Sequence, residues 1–279
     1  MRGTVKPLWL TEMVAVWGYV QRNYFLTKRY FMWEVVWLVY VTINAMAITY
    51  IGAGAAEYGK VTIDIKGYMT YLLIGALLWN YLSMLFDVLS ETVSWERWEG
   101  TIEYTFMSPS SRITHLLGMG FYAVVYGILQ TALTLGVCMA FFDLDLSNAN
   151  YWGALLVLAV ASISLVGFGV VAAVLPLLSP EKGQQVSYIV SSVLLLVSGV
   201  YYEVGVLPSW MQAIATVSPV TYALEGSRAA LQHGAGIAEL WESIRVLIVM
   251  GVVFVPLGLF VFHLGERYAK KTGKLKRSG

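Results

Sequence analysis

The chain has 279 residues, 58% of them hydrophobic and only 13% charged, where soluble domains carry roughly 25% charged residues. That balance excludes a water-soluble globular protein and leaves a membrane protein. The net charge of +1 offers no bulk field for nucleic acid, and the single cysteine, Cys138, excludes an intrachain disulfide framework.

The first 30 residues mix charges with short apolar runs and show no apolar core followed by a small-residue cleavage site, so no cleavable leader is expected. Residues 8–24 place Leu10, Val14 and Trp17 at helical spacing, with Glu12 and Arg22 at the edges. The stretch is too short and too polar to span, and an interfacial helix fits. A crossing helix needs roughly 20 mostly apolar residues. Six segments meet or approach this: 31–51, 68–89, 116–142, 152–175, 184–202 and 244–264. Glu34 lies near the start of the first and Asp87 near the end of the second. Either residue snorkels or pairs at a helix end, or serves a substrate. Asn44 lies deeper in the first span and either bridges helices or faces a pathway.

Between the second and third spans, residues 91–107 read as an amphipathic helix. Trp95, Trp98, Ile102 and Phe106 recur at intervals of three and four and form one face, with Arg97, Glu99, Thr101 and Glu103 away from it. Pro109 stops the helix. Such an element rests its aromatic side on the bilayer or bundle and offers charge to a partner in the water.

After the fifth span, residues 204–231 are apolar but broken twice. Leu207-Pro208-Ser209-Trp210 and Ser218-Pro219 each read as a helix start. A single span here would have to bury Glu225 and Arg228. A re-entrant or surface helical hairpin is therefore expected, with Glu225 and Arg228 paired on one helix face. Residues 265–279 form a basic tail.

Lys and Arg gather on the cytoplasmic side of membrane proteins. With six spans, the N-terminal segment, the loops holding Arg97, Arg112 and Lys182, and the tail share one face. They hold fourteen basic residues, against four (Lys60, Lys66, Arg228 and Arg245) on the other. Both termini and the 91–107 segment are thus expected in the cytoplasm, with the chain in the plasma or inner membrane.

This arrangement resembles the permease subunit of ABC exporters of the type-2 class, which move drugs, lipids or polysaccharides. Three motifs carry the resemblance. Glu96-Arg97-x-x-Gly100-Thr101-Ile102-Glu103 with Ser108-Pro109 and Arg112 is similar to the family's loop signature. Gly199-Val200-Tyr201-Tyr202, Leu207-Pro208-Ser209-Trp210 and Ser218-Pro219-Val220-Thr221-Tyr222-Ala223-Leu224-Glu225 with Arg228 resemble its connector between the fifth and sixth spans. Gln21-Arg22-Asn23-Tyr24 through Lys28-Arg29-Tyr30 resembles its entry helix. Tyr201-Tyr202-Glu203 departs from the pattern, since relatives often have more apolar residues and a Pro there.

The resemblance implies an all-α polytopic membrane protein, a single transmembrane domain over 1–279. It implies a second permease copy or paralogue and two ATPase subunits that contact Trp95, Glu96, Arg97, Trp98, Glu99, Gly100, Thr101 and Glu103. It offers Asn44, Trp79, Tyr188, Tyr201, Tyr202, Glu203, Glu225 and Arg228 as pathway or outer-gate residues. No Gly-x-x-x-x-Gly-Lys-[Ser/Thr] loop occurs, so ATP and Mg are expected on the partner, and the chain itself is expected to bind no cofactor or metal. The competing classes are a secondary transporter or channel, for which an internal repeat or midplane charge is wanting, and an intramembrane hydrolase, for which no Gly-x-Ser-x-Gly or His-Glu-x-x-His is present.

Overall fold

The computed structural model describes residues 8–58, 65–107, 111–142, 146–179 and 182–272. Lys60, Ser108, Pro109 and the end of the basic tail lie outside them. The described residues form α1 (Leu8–Arg29), α2 (Phe31–Tyr58), α3 (Ile65–Glu99), α4 (Ile102–Met107), α5 (Arg112–Phe142), α6 (Tyr151–Ala172), α7 (Val174–Leu178), α8 (Gly183–Val197), α9 (Ser209–Ala215), α10 (Pro219–His233) and α11 (Ile237–Thr272).

The centre of the bundle is α3. Leu73, Ile74, Leu78, Tyr81, Leu82, Leu85 and Leu89 are buried almost completely. Residues 72–78 are buried without a break, so neighbours cover α3 on every side along that stretch. The Tyr81 hydroxyl meets Ser162 of α6 at 2.5 Å, and Ser162 in turn donates to the Leu158 carbonyl at 2.6 Å. A buried hydroxyl pair of this kind is worth about 1 kcal/mol in an apolar bundle.

Helices α6 and α11 pack closely along their lengths. Leu240, Ile244, Leu247, Gly251, Gly258, Phe262, Gly265 and Ala269 are the buried side of α11, at spacings of three, four and seven. Small residues let the backbones meet, which replaces the missing hydrophobic drive between helices in lipid. A β-carbon on Gly167 would stand 2.6 Å from the Phe254 carbonyl carbon. Ser164 donates to the Leu247 carbonyl at 2.6 Å.

Helix α1 packs side by side with the first half of α5, both running the same way. Glu12 meets Thr114, Asn23 reaches Met119 Sδ at 2.9 Å, and the Tyr122 hydroxyl donates to Thr27 at 2.6 Å. Next in this ladder, Tyr126 donates to Glu34. Glu34 therefore finds a tyrosine partner on α5 rather than a helix-end arginine.

Among the described residues, five helical segments are long and apolar enough to cross a membrane: Phe31–Gly52, Ile65–Ser90, Ile113–Phe142, Tyr151–Leu178 and Ile237–Thr272. The expected span 184–202 is shorter than the sequence suggests. Its helix, α8, ends at Val197 after 15 residues, about 22 Å at 1.5 Å per residue, against roughly 30 Å of hydrocarbon. The chain turns at Ser198 and Gly199, whose φ is 74°. The span expected at 152–175 is interrupted at Ala173, where Pro176 of α7 has no N–H to continue the ladder.

The segment expected as one helix over 91–107 is two. Helix α3 runs on to Glu99, Gly100 adopts φ 72°, and α4 begins at Ile102. The Thr101 N–H returns to the Glu96 carbonyl at 2.9 Å. A left-handed residue followed by this bond is the Schellman ending, which glycine adopts without penalty. The four apolar residues Trp95, Trp98, Ile102 and Phe106 therefore do not belong to a single helix.

Candidate functional site

Two clusters of polar side chains sit near opposite ends of α3. At its C-terminal elbow, Glu96 is only 5% exposed. Its Oε1 accepts a hydrogen bond from Thr105 of α4 at 2.9 Å. The same oxygen lies 3.3 Å from His115 Nε2 on α5 and 4.0 Å from Arg22 Nη1 on α1. His115 is buried too, with its ring 4.6 Å from that of Tyr19. One carboxylate thus joins α3, α4, α5 and α1.

Glu96 had been expected on an exposed contact surface. Its burial corrects that, and the cause is the turn at Gly100, which folds α4 back over the end of α3. The outward side of α4 instead carries Tyr104 and Met107, 78% and 84% exposed. Neither was singled out as a contact residue in the sequence, because the helical period was carried straight through Gly100. Thr101 is half-buried at the break. The side chains of Trp95, Arg97, Trp98, Glu99 and Glu103 lie outside the described residues.

At the N-terminal end of α3, Arg228 of α10 is buried among backbone carbonyls. Its Nη1 donates to Gly199 O at 2.8 Å and its Nη2 to Val200 O at 2.5 Å. The guanidinium lies 3.7 Å from the centre of the Tyr71 ring. Gly75 on α3 leaves the room this needs, since a β-carbon there would strike the Val200 carbonyl and the guanidinium. Arg228 thereby clamps the turn after α8 onto α3.

The expected ion pair between Glu225 and Arg228 is not formed. The two residues are three apart on α10, but Arg228 is buried and Glu225 is exposed. Beside the clamp is a cavity of about 310 Å³ whose wall includes Tyr71, Tyr202, Glu203, Glu225 and Arg228. Partial desolvation pushes the Glu225 carboxyl up and the Glu242 charge adds to this, while Arg228 acts in the opposite sense.

Tyr202, Glu203, Glu225 and Arg228, all singled out in the sequence, thus come together. Tyr71 joins them and was not anticipated; only its position four residues before Gly75 hinted at it. The remaining candidates lie apart. Asn44 donates to the Tyr40 carbonyl at 2.8 Å on its own helix. Trp79 and Tyr201 pack against the core, and Tyr188 is half exposed on α8.

Most of the chain is matched by a known family. The description of ABC-2 type transporters fits residues 14–231, which run from α1 through α10 and contain both polar clusters. The chain belongs to the ABC-2 type transporter family. It is accordingly a permease of the ABC type-2 class, a membrane protein with several apolar helices. It is also similar to a daunorubicin resistance ABC transporter permease protein of Streptomyces coeruleorubidus, at 33% identity over 165 residues. That match covers 57% of this chain and 54% of the relative, so the likeness spans about half the length of that ABC transporter permease.

Proposed function

We propose that this chain is the membrane subunit of an ATP-driven exporter that moves a small amphipathic substrate out of the cytoplasm or inner leaflet. Two separate ATPase subunits hold ATP and Mg, and a second permease copy completes the pathway within the lipid. The observation that carries this is the elbow. A helix of 35 residues, far longer than a bilayer needs, ends in a short helix with Tyr104 and Met107 in the open. That is an element built to be pushed. In this reading α4, with Gly100, Thr101 and Glu103, is the coupling element, and Trp95, Arg97, Trp98 and Glu99 flank it.

The basic-residue asymmetry supports a cytoplasmic elbow, cytoplasmic termini and an Arg228 clamp on the outer side. Six crossings follow if α8 crosses and the residues after Val197 dip inward to complete its short span. Covered backbone of that kind is tolerated at membrane depth. The cavity beside Arg228 then stands at the exit, with Glu203, Glu225 and Tyr202 as gate residues. A drug-like substrate is favoured by the relative's name and by the short outer connections; a lipid-linked polysaccharide is the alternative cargo of the same machinery.

The test is retention of an ATPase. The purified wild-type complex should carry a second polypeptide that a photoreactive ATP analogue labels. The double variant Tyr104→Ala, Met107→Ala should keep its thermal unfolding temperature and lose most of that label. A wild-type preparation that transports an amphiphile down an ion gradient with no ATP-binding polypeptide present would favour a secondary transporter instead.

A further inference from the structure

We infer that Glu96 is a positioning residue inside the elbow, not part of the surface that meets the ATPase, and that its carboxylate carries the movement of α4 into α1 and α5. The inference rests on the reading of α4 as the coupling element. Three observations support it.

First, the chain between α3 and α4 turns at Gly100, whose φ is 72°, and the backbone bond across that turn, Thr101 N–H to the Glu96 carbonyl at 2.9 Å, ends at Glu96. Second, a hydrogen bond spans that junction. Thr105 on α4 donates to Glu96 on α3 at 2.9 Å, across nine residues of chain. Third, the oxygen that accepts this bond is also the one facing His115 and Arg22, at 3.3 and 4.0 Å. Buried charges are little screened by salt, and removing one partner of such a group costs far more than an exposed contact is worth. A shift of α4 by about 1 Å would take the Thr105–Glu96 bond out of hydrogen-bond range unless the carboxylate follows. If it follows, its distances to His115 on α5 and Arg22 on α1 change with it. Helix α5 is the next span, and α1 is bound along it through Asn23, Thr27 and Tyr122. The carboxylate is therefore a branch point that sends one input into two helices besides α3.

The experiment follows amide hydrogen exchange in the permease–ATPase complex, with and without a non-hydrolysable ATP analogue. In the wild type the analogue should change protection in α1 and in the first half of α5. In Glu96→Ala the ATPase should stay bound and the change in both helices should fall roughly fivefold or more, as expected for a lost coupling of about 1 kcal/mol or more. Glu96→Gln, which keeps an oxygen for Thr105, should recover part of it. His115→Gln should blunt the response in α5 more than in α1, and Arg22→Gln the reverse; these two keep the test open if Glu96→Ala fails to fold. A residue that merely stabilised the fold would alter exchange equally with and without the analogue. Unchanged nucleotide responses in Glu96→Ala would overturn the inference, as would a wild type without any response in α1 or α5. So would loss of the ATPase from Glu96→Ala to the same degree as from Tyr104→Ala, Met107→Ala, which would make Glu96 a docking residue. A wild-type complex that holds no ATPase defeats the coupling reading itself, and is told apart by that observation alone.

Discussion

The two ends of α3 solve opposite electrostatic problems. At the elbow a buried anion, Glu96, is surrounded by a hydroxyl, an imidazole and a guanidinium from three other helices. At the connector a buried cation, Arg228, is surrounded by carbonyls of one turn and the face of Tyr71. The difference is in what holds each charge. Side chains on separate helices can move relative to one another, so the elbow is suited to transmit motion. Carbonyls of a tight turn cannot be displaced singly, so the Arg228 clamp is suited to hold a fixed point against which the other end works.

That contrast can be broken most easily at the clamp. Arg228→Met keeps much of the volume but leaves the Gly199 and Val200 carbonyls without their donor. Each lost hydrogen bond to a charged group costs about 1.5–3 kcal/mol. The expected result is a loss of roughly 3 kcal/mol or more, read as a lower unfolding temperature in detergent, with ATPase retention per folded molecule unchanged. A stable Arg228→Met protein would mean that the connector is not the rigid end. The Glu96 variants come next. They should cost stability as well, and differ from Arg228→Met in also changing the nucleotide response.

The smallest effect is expected where a charge is partly exposed. Thr114 and the Ser111 N–H hydrogen-bond the Glu12 carboxylate and pull its pKa below the usual value, against a smaller opposing effect of desolvation at this partly exposed site. A depressed carboxyl pKa contributes stability above its unfolded value and loses it as pH falls through the folded value. Protection at the N-terminal turns of α1, corrected for the intrinsic pH dependence of amide exchange, should therefore fall in acid, and Glu12→Gln should flatten that dependence without altering ATPase retention. Solvent screening keeps the effect slight. An equal pH response in Glu12→Gln would assign it to another group.

Much of this was legible in the chain. Low charge and long apolar runs gave the class, and Pro208 and Pro219 marked two short helices before the last span. Gly100 was visible too, but its meaning was not. A glycine within an otherwise regular period reads as a tolerated helical residue until the left-handed φ is seen. The partners of Arg228 were hidden for a different reason. Backbone carbonyls leave no sequence signal, so Glu225, three residues away, looked like the natural partner. The pairing of α1 with α5 was hidden as well. In an apolar chain, lipid-facing and helix-facing residues share one composition, and periodicity does not say which helix a face will meet. The short length of α8 was masked by the apolar residues Val200, Tyr201 and Tyr202, which continue the hydropathy past the turn at Gly199.

The most direct measurement compares the two ends by crosslinking. The chain's one cysteine, Cys138, is buried, so a cysteine placed at an exposed position is the single reactive thiol. Met107→Cys lies on α4 and Val206→Cys, at a residue 72% exposed, lies after the Gly199 turn. With a short photoactivated thiol crosslinker in the intact complex, Met107→Cys should form an adduct with the ATP-labelled subunit, and Val206→Cys should form none. Capture of that subunit from position 206, or from neither position in a complex that still hydrolyses ATP, would contradict the account.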